Sequence, residues 1–210
     1  YGGRMKRSSV VLGIVATALI TLLLLQQDTG GEEKKPVDAK KKAMIEHGKY
    51  LVTLGGCDDC HSPKVFGPMG PVPDTTRLLS GHPANFKLPD VPPGVLGPDK
   101  WGALTTGDLT AWVGPWGTSF TRNLTPDVET GLGSWNEAMF IKTLRTGKHM
   151  GEGRNILPPM PWQNYGQLKE SDLKDIFAYL QSLKPISNAV PDPIAPSGDR
   201  IPTPVKPQGK

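Results

Sequence analysis

Three segments of the chain place apolar residues at the three- and four-residue intervals that are typical of an amphipathic helix. They predict helices over residues 38–54, 134–147 and 171–183. The second segment carries Ser134 and Glu137 at the spacing of a capping box, which marks a helix start. No convincing strand alternation separates these segments, so the pattern predicts helices as the main regular elements.

A long insertion separates the first two predicted helices. Residues 62–133 contain eleven prolines and eleven glycines, a composition that disfavours helices and central strands. Trp101, Trp112 and Trp116 argue against a disordered linker, because such linkers seldom carry tryptophan. Long loops inside compact domains are usually functional. We therefore predict an ordered insertion that wraps over a cofactor edge or forms a docking surface.

The N-terminal end of the chain has the pattern of an export signal. Three basic side chains within the first seven residues precede an apolar run of 16 residues, from Val10 to Leu25. No small-residue cleavage site follows the run. We predict an uncleaved signal anchor, a transmembrane helix within residues 1–27, with the rest of the chain on the periplasmic side of the membrane. A removed signal peptide is the alternative.

The two remaining segments flank the predicted domain. Residues 28–38 are charged and lack apolar periodicity, so they predict a flexible linker. Residues 185–210 contain seven prolines and cannot form a helix or a central strand. This tail either lies extended along a surface or is disordered. The folded domain is therefore predicted over residues 39–184.

The composition indicates that something other than side chains helps to fill the core. Of 210 residues, 37% are hydrophobic, part of these lie in the N-terminal run, and glycine (25) and proline (22) are abundant. A large apolar cofactor would compensate for this shortage. The net charge is +4, but the sequence contains no block of basic residues with interleaved aromatic residues. Nucleic-acid binding is therefore excluded as a function class.

The chain has two cysteines, Cys57 and Cys60, and His61 follows them directly. A disulfide between residues three apart would stabilise little, and a thioredoxin-like pair would need a strand–helix–strand context. A zinc site would need a second pair of ligands, which the sequence lacks. Two thiols one helical turn apart, with a histidine next to them, instead match the attachment of a c-type haem. We predict one covalently bound haem c.

The iron of such a haem needs axial ligands. His61 is predicted to bind through Nε2, with its Nδ1–H donated to a backbone carbonyl near Gly67–Pro68. Met160 lies in a loop with prolines on both sides, which would hold a thioether rigidly, so we predict it as the sixth ligand. Met150 and His149 are the alternatives.

With these residues placed, the chain resembles class I c-type cytochromes, and in particular the cytochrome c domains in haem subunits of membrane-bound alcohol, aldehyde and gluconate dehydrogenases. The resemblance covers about residues 43–184. It is carried by the stretches HGKYLVTLGGCDDCHSPK, FTRNLTPDVETGLGSWNEAMFIKTLRTGKH and LPPMPWQNYGQLKESDLKDIFAYLQSL. Those dehydrogenase subunits usually carry three haem motifs, whereas this sequence has one.

The resemblance implies an all-α fold of about three core helices around the haem, with the insertion added. It also implies Met160 as distal ligand, and a crossing of the first and last helices. The residues at that crossing would be Gly48, Tyr50, Leu51, Ile176, Tyr179 and Leu180.

The function we predict is one-electron transfer by a monohaem cytochrome, as a tethered shuttle or as a subunit of a respiratory redox complex. Its partners would be a dehydrogenase, a quinol-oxidising complex or a terminal oxidase. With histidine and methionine both on the iron, catalysis at the haem is not expected; a peroxidase or gas sensor with a displaceable methionine is the alternative. Candidates for contacts with the haem are Trp116, Arg122, Asn123 and Trp162.

Overall fold

The computed structural model describes residues 36–198. The described residues from 40 onwards belong to a single compact unit. The predicted anchor over residues 1–27, and most of the predicted linker, lie outside the described residues. Between residues 36 and 198, no helix combines the length and the apolar character needed to cross a membrane.

All three predicted helices are confirmed, with small changes at their ends. Helix α1 covers Pro36–Leu54 and therefore starts within the predicted linker. A short helix α2, Cys57–His61, follows after a turn in which Gly56 adopts a left-handed conformation with φ of 63°. Glycine adopts this conformation without the steric cost that other residues incur. The turn brings the two cysteines and the histidine onto one short helix directly after α1.

Helix α3 covers Glu137–Thr146 and is followed by a single 3₁₀ turn at His149–Gly151. Its N-cap is Asn136, whose side-chain oxygen accepts a hydrogen bond from the backbone N–H of Met139 at 2.8 Å. The capping box predicted from Ser134 is therefore wrong, because the helix starts two residues later than that motif requires.

The last helices are α4, Trp162–Tyr165, and α5, Glu170–Ser182. Helix α5 buries one apolar face, and Leu173 on that face is fully buried. Helix α5 forms the main hydrophobic core together with α1, α3 and residues of the insertion. Its buried members are Val52, Leu79, Leu132, Phe140, Leu144, Leu173, Ile176, Phe177 and Leu180.

The predicted crossing of α1 and α5 is confirmed at Gly48. A Cβ atom at this position would lie 1.9 Å from the carbonyl oxygen of Asp175 and 2.9 Å from Cβ of Tyr179. The helices can therefore approach this closely only because position 48 has no side chain. One residue earlier, Nδ1 of His47 lies 2.8 Å from the Asp175 carboxylate, which adds a polar contact at the edge of the crossing.

The prediction of an all-α fold is wrong, because the insertion contains two small antiparallel sheets. The first is a hairpin of β1, Lys64–Gly67, and β2, Gly70–Pro73. The second sheet has three strands: β3, Leu104–Thr105, β4, Ala111–Gly114, and β5, Gly117–Phe120. These strands pair in the order β3–β4–β5.

The sequence pattern did not predict these strands because they are short and because buried polar side chains form hydrogen bonds next to them. His82 is buried, and its Nδ1 lies 2.7 Å from the hydroxyl oxygen of Thr110. That hydroxyl donates to the carboxylate of Asp108, also at 2.7 Å. A buried polar chain of this kind supports the sheet without the alternation of apolar and polar residues by which strands are recognised.

The C-terminal segment lies extended on the insertion as far as the structure describes it. Ile194 pairs with Thr118 through two backbone hydrogen bonds of 2.7 and 2.9 Å. The side chain of Asn188 donates to the carbonyls of Ser80 and His82 at 2.7 and 2.9 Å. Of the two alternatives that the sequence left open for this segment, the extended one therefore holds between residues 185 and 198.

Candidate functional site

Four predicted site residues from two distant parts of the sequence line one cavity. Cys57, Cys60 and His61 reach it from α2, and Met160 reaches it from the loop before α4. The cavity has a volume of about 250 Å³. Its apolar walls come from the helices, from the insertion and from the loop before α4: Val52, Trp112, Phe120, Leu124, Leu132, Phe140, Leu144, Ile156, Leu157, Ile176 and Leu180.

The two cysteines are held as neutral thiols. Burial, reinforced by the charge of Asp58, raises the pKa of Cys57 to about 11. Burial also raises the pKa of Cys60, with the charge of Asp59 acting in the same direction. Redox-active cysteines depend on a lowered pKa that supplies thiolate near neutral pH. This pair therefore lacks the electrostatic setting of a thioredoxin-like site, in agreement with the sequence argument.

His61 is oriented by a backbone carbonyl, but by a different one from that predicted. Its Nδ1 lies 2.8 Å from the carbonyl oxygen of Arg122, 61 residues further along the chain. The predicted acceptor near Gly67–Pro68 is wrong, because those residues turn away into the β1–β2 hairpin. Since a carbonyl only accepts hydrogen bonds, Nδ1 carries the proton and Nε2 keeps its lone pair. Burial lowers the pKa of His61 and so favours this neutral form.

Lys64 stabilises the C-terminal end of α2. Its ammonium group donates to the carbonyls of Asp58, Asp59 and Ser62 at 2.9, 3.0 and 2.5 Å. A cation at this end of a helix satisfies carbonyls that have no partner within the helix and interacts favourably with the helix dipole. Sequence reasoning missed this role, although a lysine three residues after the histidine was a visible signal.

Ser62 connects the same helix to the insertion. Its hydroxyl donates to the Asp58 carboxylate at 2.6 Å and accepts from the backbone N–H of Leu79 at 2.7 Å. Ser62 is fully buried, so both contacts are shielded from water. The position of α2 therefore depends on the insertion as well as on α1.

The loop that carries Met160 is fastened at both ends. Ser119 of β5 donates its hydroxyl hydrogen to the carbonyl of Pro158 at 2.6 Å. On the other side, the phenolic hydroxyl of Tyr165 donates to the carbonyl of Gly55, directly before α2. These contacts link the methionine loop to the second sheet and to the turn that precedes the cysteines.

The polar part of the cavity wall is cationic. Arg122 and Arg154 both line it, as does His149. Burial, the charge of Arg122 and an opposing effect of Asp192 bring the pKa of Arg154 to about 10, so this side chain stays charged at neutral pH. Burial and both arginines lower the pKa of His149 to about 4, so the imidazole is neutral there.

Two polar atoms of lining residues are buried without a hydrogen-bond partner in the described part of the chain: Nδ1 of His149 and the hydroxyl of Thr121. Buried polar groups are normally paired, so a cavity with such atoms has the character of a binding site. An apolar cavity with two thiols, an imidazole, a thioether and unsatisfied polar atoms fits a c-type haem in its donor set.

The other residues named from the sequence are placed differently. Arg122 and Asn123 line the cavity, but Trp116 and Trp162 do not, and neither does Met150. The side-chain amide of Asn123 is occupied by Thr130 and by the carbonyl of Ile186, at 3.1 and 2.8 Å. Sequence reasoning missed Arg154, which no recognisable motif surrounds.

Comparison with known proteins agrees with this chemistry. The chain is 33% identical over 154 residues to the cytochrome c subunit of a quinone-dependent alcohol dehydrogenase from Gluconobacter oxydans, covering 72% of this chain and 24% of that protein. It is 27% identical to the gluconate 2-dehydrogenase cytochrome c subunit of Pantoea cypripedii, covering 74% and 27%. A diheme c-type cytochrome from Cereibacter sphaeroides is 31% identical over 180 residues, covering 82% and 49%.

These similarities support the cytochrome c family. One of these relatives is named as a diheme protein, so the comparisons leave the number of haems unfixed. The chain spans between 12% and 49% of the length of the curated relatives that it matches. No family model matches the chain.

Proposed function

We propose that this chain is an electron carrier that binds one haem c through Cys57 and Cys60, with His61 and Met160 as axial ligands. The observation that carries the proposal is the meeting of these four side chains at one apolar cavity, although 99 residues separate His61 from Met160. When bound, the haem supplies reversible one-electron transfer at its iron.

The residues of the chain prepare this site for the haem. Cys57 and Cys60 would hold the haem through thioether bonds to its two vinyl groups. The Arg122 carbonyl fixes the tautomer of His61 that leaves Nε2 free to bind metal. The fastened loop holds the Met160 thioether, and the apolar wall excludes water, which together favour the reduced form.

We propose that the chain passes electrons to or from a dehydrogenase partner and turns over no substrate itself. Two relatives are named as cytochrome c subunits of dehydrogenases, which supports a subunit role over a free shuttle. A periplasmic location agrees with the export-signal pattern in the sequence. The second candidate, a haem enzyme or sensor, requires that Met160 be displaced.

The test is to produce the full chain in cells that mature c-type cytochromes and to examine the purified protein by denaturing gel and absorbance. We expect haem that stays on the polypeptide after denaturation and a six-coordinate spectrum that carbon monoxide does not change. In Met160→Ala the haem should remain covalent, whereas the methionine-dependent spectrum is lost and carbon monoxide binds.

Matched controls are available on the same chain. Met69→Ala removes a thioether that is 98% exposed and should leave the spectrum unchanged. Retention of the full spectrum in Met160→Ala would refute the ligand assignment. Binding of carbon monoxide by the wild-type protein would favour the enzyme or sensor, and a chain without covalent haem would refute the whole proposal.

A further inference from the structure

Lys64 places a positive charge against the short helix that carries the two cysteines and His61. Its ammonium group lies 2.9, 3.0 and 2.5 Å from the carbonyl oxygens of Asp58, Asp59 and Ser62. Because a carbonyl oxygen only accepts hydrogen bonds, these three contacts use all three N–H groups of a protonated lysine. The geometry therefore requires the charged form of Lys64, held against the end of α2.

The backbone around Lys64 fixes the position of this charge. Lys64 is the first residue of β1 and pairs with Pro73 of β2. The N–H of Asp74, directly after the hairpin, donates to the carbonyl of Pro63 at 2.8 Å. Both the stem of the lysine and the acceptors of its ammonium group thus belong to backbone that is tied together on the same side of α2.

The charge of Lys64 acts on two members of the haem motif. Burial, and to a smaller extent the charges of Lys64 and Arg122, lower the pKa of His61. Burial and the charge of Asp59 raise the pKa of Cys60, and the charge of Lys64 opposes them. Lys64 is not one of the described residues that line the cavity. It therefore influences the site through its charge and not through contact with the occupant.

We infer that the ammonium group of Lys64 raises the reduction potential of the haem, in addition to holding the end of α2. This inference rests on the proposed function, because it takes a haem bound by His61 as the occupant of the cavity. Ferric haem carries one positive charge more than ferrous haem, so a fixed positive charge beside the axial histidine disfavours the ferric form. Lys64 is half-buried and Ser62 is fully buried, so the solvent screens this interaction only in part.

Several acidic groups lie near the same ammonium group. Burial lowers the pKa of Lys64, and Cys60, Asp108, Asp59 and Asp58 oppose that effect. These groups are present in the wild type and in any variant at position 64. A comparison of the two therefore isolates the contribution of the ammonium group from that of its neighbours.

The experiment is a spectroelectrochemical titration of the full haem-loaded protein and of two variants at position 64. Lys64→Met removes the charge and keeps the aliphatic stem, so its potential should fall below the wild-type value while the six-coordinate spectrum is retained. Lys64→Arg keeps the charge, so its potential should lie closer to the wild type than to Lys64→Met. If Lys64→Met does not accumulate as a haem-loaded protein, Lys64→Gln is the neutral variant to be measured in its place.

Lys100→Met is the matched control, because it makes the same change to the net charge of the chain. The ammonium group of Lys100 also donates to a backbone carbonyl, that of Gly94 at 2.8 Å, but it does so in an exposed loop of the insertion. The potential of this variant should stay at the wild-type value. A fall as large as that in Lys64→Met would show that net charge alone is responsible and would overturn the inference.

Two further outcomes would also overturn it. A potential in Lys64→Arg as low as that in Lys64→Met would mean that a loosened α2, which admits water to the haem, causes the shift. An unchanged potential in Lys64→Met would mean that the charge does not reach the iron. In both cases the chain is still a cytochrome, whereas a wild-type chain without covalent haem would refute the proposed function itself.

Discussion

Replacement of Gly48 by alanine tests the helix crossing on which the cavity depends. The added Cβ would lie 1.9 Å from the carbonyl oxygen and 2.5 Å from the carbonyl carbon of Asp175. Because both atoms belong to the backbone of α5, no side-chain rotation can relieve the contact, and the helices must separate. Val52 on α1 and Ile176 and Leu180 on α5 would then move apart, and all three line the cavity.

The expected size of the effect follows from two opposing terms. Overpacking of a tight contact costs up to about 3 kcal/mol, and more where backbone must move. Alanine gains about 1 kcal/mol over glycine in a helix interior. The free energy of unfolding should therefore fall by about 2 kcal/mol, which for a domain of this size lowers Tm by about 4–8 °C.

The assay is thermal unfolding of the full haem-loaded protein, followed by far-ultraviolet circular dichroism. Gly102→Ala is the matched control, because a Cβ there would have no neighbour within 4 Å; its free energy of unfolding should change by less than about 0.5 kcal/mol. If Gly48→Ala melts at the same temperature as this control, the reasoning about the crossing is wrong.

Two further predictions concern single polar side chains. Lys64→Met keeps the aliphatic stem but removes the donor to the carbonyls at the end of α2. We expect the free energy of unfolding to fall by about 1–2 kcal/mol and amide hydrogen exchange in residues 57–62 to become faster. Unchanged exchange there would contradict the capping role. Hydrogen bonds from Thr76, the larger effect, and from Arg77 lower the pKa of Asp74 from 3.8 to about 2. The contribution of the Asp74 carboxylate to stability is therefore present above about pH 4 and is lost as the pH falls towards 2. Thermal melts at different pH values should show that Asp74→Asn is less stable than the wild type at pH 7 but equally stable below pH 2. A difference that persists at low pH would show that the charge is not responsible.

The helices and the haem motif could be predicted from the sequence because their signals are local. Amphipathic spacing places α1, α3 and α5 to within a few residues, and the spacing of Cys57, Cys60 and His61 is itself the motif. The crossing at Gly48 could be predicted only through the family resemblance, since periodicity does not indicate which residues of two helices meet. Met160 was picked out by its prolines, and the structure places it at the same cavity as the motif, but its ligand role stays a prediction.

The sheets and the polar partners of the site could not be predicted in this way, because they depend on contacts between distant residues. The strands of the insertion have at most four residues each, too few for a period of two to be recognised. The carbonyl that orients His61 is a backbone group, and every residue has one. Only the fold decides that the carbonyl of Arg122, and not a nearer one, faces the ring.

Arg122 explains why the insertion and the C-terminal segment belong to the site. Its carbonyl fixes His61, its guanidinium group holds the backbone at Val190 and Pro191, and its side chain lines the cavity. Arg122 therefore connects the C-terminal segment to the residue that orients the histidine. The order of the insertion is therefore part of what holds the site together.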